Sequence, residues 1–206
     1  MLKLWGRTNS INVMKVLWCL DEIGIDYERV DAGMQYGVVN EDHYGDLNPN
    51  RKVPTLEDGE LVLWESNVIV RYLCAKYASG SLCPDDPGAR ALSDQWMDWQ
   101  QTSIHPDVTY IFWGAVRNSP DHQDPKRIDA AMKNLNAMWS LLDTHLAARR
   151  FVAGDSLTMG DIPVGCAAWR WYNLDIERPE LPNVAAWHER LKQRDGFRSH
   201  VMQPLT

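Results

Sequence analysis

The sequence predicts an α/β domain on a mixed sheet of about four strands, followed by an all-α helical bundle. Three observations carry this reading. Residues 1–77 alternate short strand and helix patterns, residues 79–88 turn to Gly, Ser, Pro and Asp, and beyond them the periodicity is helical almost throughout. The expected division is therefore a first domain at 1–78, a linker at 79–88 and a helical domain at 89–206.

Leu2-Lys3-Leu4-Trp5 reads as the first strand, and Val13, Val16, Leu17 and Leu20 recur at helical spacing. Tyr27 to Val30 reads as a second strand, so the chain opens β-α-β. Gly33 to Asp46 reads as loop or irregular helix. Pro54 then opens an apolar run, Asp58-Gly59 is a hairpin turn signal, and Leu61-Val62-Leu63-Trp64 is the returning strand. A helical pattern follows in Val68, Ile69, Tyr72 and Leu73. A β-α-β unit joined to a hairpin and a helix at this size is an α/β domain of thioredoxin-like type.

In the second domain Leu92, Gln95, Trp96 and Trp99 form one stripe, and Pro106 should end or kink that helix. Ile128, Ala131, Leu135, Met138 and Leu142 form another stripe. Thr158-Met159-Gly160-Asp161 precedes the apolar run Ile162 to Trp171. Thr158 can cap that helix while Asp161 reaches back to the cap's amide, a box whose role is folding. Seven of the ten tryptophans lie in this part of the chain, at 96, 99, 113, 139, 169, 171 and 187. They read as bundle core, with a minority lining an apolar cleft.

Composition excludes several classes. Lys and Arg number 21 against 28 Asp and Glu, a net charge of −7, which argues against a nucleic-acid or anionic-membrane surface. No apolar run reaches transmembrane length and the N-terminus starts directly into a strand, so a soluble cytoplasmic protein is expected. The four cysteines, at 19, 74, 83 and 166, form no Cys-x-x-Cys pair, and the six histidines are dispersed. No metal or other cofactor is expected, and Cys19 and Cys74 read as small core residues.

The segment from Asn48 to Asn67 carries the most functional information. Proline cannot donate to a sheet ladder, so Val53-Pro54 belongs at an edge or a strand start, where Val53 keeps free backbone groups for an extended ligand. A cis bond there would fix that exposure. Ser66 stands where strand gives way to helix, so its hydroxyl and the first free amides can hold a carboxylate.

Gly6 to Val16 runs from the first strand through a polar loop into a helix N-terminus, which favours an anion. Lowering a thiol pKa by two units from its usual value near 8.5 needs about 2.7 kcal/mol. One hydroxyl hydrogen bond to an ion, about 1.5–3 kcal/mol, together with the helix end can supply that. Ser10 or Thr8 is the donor, with the Asn12 amide as a second. Alone, Ser10 reads as an ordinary N-cap; it can do one job or the other, since its proton goes to one acceptor.

Ser10 to Gly24 resembles the catalytic-serine loop and first helix of phi-like and related bacterial glutathione S-transferases. Val53-Pro54 resembles that family's cis-proline element, Glu65-Ser66 its γ-glutamyl contact, and Thr158 to Asp161 its second-domain capping box. The resemblance implies a transferase that activates the glutathione thiolate for attack on a small apolar electrophile, with glutathione as co-substrate. It makes Ser10 the thiolate donor with Asn12 beside it. Lys52 would pair with the glycyl carboxylate, Val53 would exchange backbone bonds with the cysteinyl unit, and Glu65 and Ser66 would hold the γ-glutamyl end. It also implies a homodimer. Arg51 stands where the family usually has glycine. Glutathione-dependent peroxide or disulfide reduction, and a non-catalytic binding role, are the rival readings; the absence of cysteine at position 10 weighs against the thiol-reductase branch.

Overall fold

The computed structural model describes residues 1–206. Strands β1 (Leu2–Trp5), β2 (Tyr27–Val30), β3 (Thr55–Asp58) and β4 (Leu61–Trp64) form one sheet in the order β2-β1-β3-β4. β1 is parallel to β2 and antiparallel to β3, with Leu4 opposite Leu56, and β4 is antiparallel to β3. A parallel pair needs a long crossover, and α1 (Ile11–Ile23) supplies it. Gly59 (φ 63°) and Glu60 make the hairpin turn, one residue later than the Asp58-Gly59 signal suggests.

Alternation along β1 divides its side chains between two layers. Leu2 and Leu4 join the main core under α1 and α3 (Ser66–Tyr77), while Trp5 packs with Tyr44 of α2 (Asp42–Leu47) on the other face. The Trp5 and Tyr44 rings meet edge-on at 5.8 Å.

The rest of the chain is helical: α4 (Pro87–Trp99), α5 (His105–Ala115), α6 (Pro125–Leu146), α7 (Asp161–Asn173) and α8 (Pro182–Lys192). A π-helical turn, Gln100–Ile104, interrupts the path from α4 to α5, and Pro106 sits in the first turn of α5. Proline thus breaks the pattern where its missing N–H and ring require. The stripe on α6 holds at Ala131, Leu135 and Leu142, joined by Trp139 and Leu146. The stripe read on α4 is displaced: Ser93, Trp96 and Met97 face inward, while Leu92 is 52% exposed. A polar inward residue caused the shift, because Ser93 Oγ accepts from the Gly160 amide at 2.9 Å and donates to Thr158 Oγ1 at 3.0 Å.

α1 is enclosed on both sides, by α3 and by α7 with the terminal turn Phe197–Val201. Nine of its 13 residues are buried, and a single core of 46 residues runs through sheet domain and bundle alike. Gly165 makes the close approach possible, since a Cβ there would stand 2.9 Å from the Trp18 ring. All four cysteines are free and buried, with the Cys19 and Cys74 sulfurs 3.5 Å apart in this core. No helix is long and apolar enough to cross a membrane.

Candidate functional site

The loop between α2 and β3 is fixed from below. The carbonyl of Lys52 accepts from Tyr44 OH at 2.7 Å and from Asn48 Nδ2 at 2.8 Å, and Thr55 Oγ1 lies 2.8 Å from the same Tyr44 hydroxyl. The Val53-Pro54 bond is cis. β3 lies inside the sheet, so of the two placements open to this proline, the strand start is the one adopted. The N–H and C=O of Val53 make no backbone hydrogen bond and stand ready to pair with an extended ligand. Lys52 is exposed.

Arg51 takes a left-handed conformation, φ 52°, which costs an L-residue energy that glycine does not incur. Its guanidinium compensates by donating to the carbonyls of Val39 (3.3 Å) and Glu41 (3.0 Å). Gly45 provides the room, because a Cβ there would collide with that guanidinium.

At the start of α3, Glu65 is exposed with φ 71° and its carbonyl accepts the Ile69 amide at 3.0 Å. Ser66 is buried, and its hydroxyl donates to Asn12 Oδ1 at 3.3 Å. Beneath it lies Lys15, wholly buried, with Nζ 3.0 Å from Gln100 Oε1, 3.4 Å from Asn67 Oδ1 and 3.5 Å from Ser66 Oγ. Burial pulls the Lys15 pKa down to about 8. The free amides of α3, its dipole and this ammonium all place positive potential where a carboxylate would dock.

Ser10 occupies the N-cap position of α1 in an extended conformation, and its carbonyl accepts the Met14 amide at 2.9 Å. Its side chain makes no capping bond, so the hydroxyl is available for another acceptor. Thr8 is exposed. Ser10 and Asn12 line an inter-domain cleft of about 120 Å³, faced from α5 by His105, Thr109 and Trp113. Burial lowers His105 to about 4, so its ring is neutral. The cleft departs from the expected apolar lining: only three of its eleven lining residues are hydrophobic, and Arg7, Arg117 and Arg170 border it. A larger open hollow of about 560 Å³ near the end of α1 is formed by charged residues such as Arg194 and Glu22, which already pair with each other.

The predicted residues therefore fall in two joined groups. Ser10 and Asn12 share the cleft, and Asn12 ties directly to Ser66; Lys52, Val53, Pro54 and Glu65 lie on the loop and helix start. Sequence reasoning missed Lys15 and the three arginines. Lys15 stands within Ile11 to Leu20, and a lysine inside so apolar a run was the available signal. The arginines come from three distant segments and left no local signal.

No group of three or more His, Cys, Asp or Glu side chains is placed to hold a metal ion. Residues 1–75 match the family described as Glutathione S-transferase, N-terminal domain, and residues 125–190 match Glutathione S-transferase, C-terminal domain. Glutathione S-transferase GstB of Escherichia coli strain K12 is 38% identical over 208 residues, covering 100% of both chains. Glutathione S-transferase 3 of Zea mays is 30% identical over 97% of this chain and 93% of its own. Among solved structures, the theta class glutathione S-transferase of Xanthomonas axonopodis pv. citri, with glutathione bound, superposes with a TM-score of 0.93 at 44% identity, covering 100% of this chain and 99% of that one.

Proposed function

The chain belongs to the glutathione S-transferase family, and we propose that it binds glutathione, stabilises its thiolate at Ser10 and directs the sulfur at an electrophile in the inter-domain cleft. The observation that carries this reading is the Ser10 hydroxyl, which stands at a helix N-terminus without a capping bond. There it can donate to a sulfur anion, aided by the helix end. Catalysis is thiolate stabilisation with positioning.

Binding follows from the surrounding groups. Val53 offers its free N–H and C=O to the cysteinyl unit, Lys52 pairs with the glycyl carboxylate, and the α3 N-terminus with Ser66 takes the γ-glutamyl carboxylate. The exposed Glu65 carboxylate takes the α-amino group. Asn12 acts as a second donor through its free Nδ2, its Oδ1 being held by Ser66. The division into a glutathione-binding domain at 1–78, a linker at 79–88 and a helical domain at 89–206 is supported by α3 ending at Tyr77, although α4 already begins at Pro87.

A homodimer is supported by Leu61, Trp64 and Val68, exposed large apolar residues on β4 and the start of α3. Sedimentation at micromolar concentration tests it, and a 23.6 kDa species would contradict it. A cytoplasmic location agrees with four buried cysteines that form no disulfide. Calorimetric titration with glutathione tests the reading as a whole: saturable binding is expected, and none at millimolar ligand sinks it.

A further inference from the structure

Three guanidinium groups converge on the cleft beside Ser10 with no carboxylate among its lining residues. Arg7 comes from the loop after β1, Arg117 from the segment after α5, and Arg170 from α7. Arg170 is 6% exposed and has the Phe112 ring centroid 3.8 Å from its guanidinium carbon, but no ion pair or hydrogen-bond acceptor. The buried Nε of Arg7 also lacks a partner. Arg117 is partly exposed; it donates to the main-chain oxygen of Thr206, the last residue of the sequence, at 3.0 Å and lies 4.6 Å from the centre of the Trp113 ring. Burial lowers the pKa of all three, with the Arg117 charge adding to it at Arg7 and Arg170, and Arg170 falls to about 9. The other basic groups nearby do not relieve the repulsion: His105 is neutral and Lys15 is itself a cation.

Arg170, buried and without a partner, and the unpartnered Nε of Arg7 carry a cost that a bound oxyanion removes. Guanidinium forks suit planar carboxylates in particular. We propose that Arg7, Arg117 and Arg170 form a subsite for a carboxylate or sulfonate carried by the second substrate, so that the electrophile is a small anion. The word electrophile rests on the transferase reading; the anion subsite does not. The cleft is small, about 120 Å³, which suits a compact acid rather than a bulky apolar substrate.

The chemistry gives such a subsite a purpose. In alkylation of glutathione by an α-halo acid, a carbon–sulfur bond forms as the carbon–halogen bond breaks. The halide leaves with the bonding pair, and the thiol proton passes to solvent. In water the acid's carboxylate repels the incoming thiolate. Three guanidiniums neutralise that repulsion, so the enzyme accelerates the anionic reagent more than a neutral one of the same shape.

Iodoacetate and iodoacetamide form the matched pair. With each enzymatic rate divided by its own uncatalysed rate with glutathione, the wild type is expected to favour iodoacetate by about tenfold or more, a difference of about 1.4 kcal/mol. Arg117→Gln and Arg7→Gln each bring that ratio toward one, whereas Arg149→Gln, exposed and remote, keeps it. Equal acceleration of the two reagents by the wild type, or a preference that survives both cleft substitutions, overturns the proposal. If neither reagent is accelerated, the transferase reading fails, and calorimetric titration with sodium acetate at constant ionic strength decides the subsite. Saturable heat lost in Arg117→Gln upholds it; no saturable heat overturns it.

Discussion

Ser66 Oγ lies 3.5 Å from Nζ of Lys15, a lysine with no exposed surface. The proposed carboxylate seat therefore rests on a buried cation that also holds Asn67 and, across the domain boundary, Gln100. One side chain joins α1, α3 and the π-helical turn, so the binding surface and the inter-domain junction share a support.

Lys15→Met keeps the volume and removes the charge. Glutathione affinity at pH 6.5 is expected to fall several-fold, the loss of about 1 kcal/mol of charge–anion attraction. Lys15 titrates at about 8 in the fold against an ordinary 10.5. Between those values the unfolded chain binds a proton that the folded chain has released, so wild-type stability rises with pH across the window. Denaturant melts at pH 7.5 and 9.5 should show the wild type gaining on the variant. A gain for the variant instead, or unchanged affinity, refutes this role.

Asp161 is a buried hub more than a cap. It accepts from the amides of Val152 (2.9 Å) and Thr158 (3.0 Å) and from Trp187 Nε1 (2.9 Å). Thr158 spends its hydroxyl on this carboxylate at 3.4 Å rather than on a helix amide, so only the Asp161 half of the expected box forms. Asp161→Ala leaves several buried donors unpaired and should cost about 2–4 kcal/mol, beyond the ~1 kcal/mol of a simple cap. Burial raises this carboxyl to about 6 from 3.8. Within that window the fold keeps a proton the unfolded chain gives up, so the Asp161 contribution shrinks as pH rises through it. The gap between wild type and variant should be wider at pH 4.5 than at 7.5, with glutathione affinity per folded molecule unaltered; a gap that widens with pH would contradict the assignment.

The fold was legible because each strand is short and bounded by Gly, Pro or charge, and because α6 repeats its apolar residues at helical spacing. The site was legible where backbone does the work: Pro54 and the Glu65-Ser66 junction announce free amides from local sequence alone. Position 10 is open in the sequence, since a serine before a helix serves equally as cap or donor; its side chain makes no capping bond, which supports the donor role proposed for it. Lys15 and Arg170 were hidden for a different reason. A charged residue in a helix pattern is ordinarily placed on the solvent side, and α1 and α7 each have both sides covered.

Arg51 separates backbone strain from side-chain docking. Arg51→Ala keeps φ near 52° but loses the bonds to Val39 and Glu41, and should destabilise by about 1–2 kcal/mol. Arg51→Gly loses the same bonds while relieving the left-handed penalty, and should recover about 1 kcal/mol of that loss. Chemical denaturation of the three proteins gives the order; an alanine variant as stable as the glycine variant would mean the loop relaxes out of the left-handed region.

Ser10→Ala tests the proposed chemistry itself. Losing one hydrogen bond to an ion, about 1.5–3 kcal/mol, corresponds to a rise of roughly one to two units in the pKa of bound glutathione. The guanidiniums bordering the cleft remain in the variant, which holds the expected rise toward one unit. Turnover at pH 7 should fall with the thiolate fraction, while affinity stays nearly intact because the groups around Lys52, Val53 and Ser66 are untouched. Asn12→Ala should act in the same direction and more weakly, because its Oδ1 is engaged by Ser66. Thr8→Ala should change nothing, its side chain being exposed. Thiolate absorbance across pH reads each case directly. If Ser10→Ala titrates as the wild type while Thr8→Ala or Asn12→Ala does not, the donor is misassigned, and Ser10 serves the fold as the first residue of a helix entry.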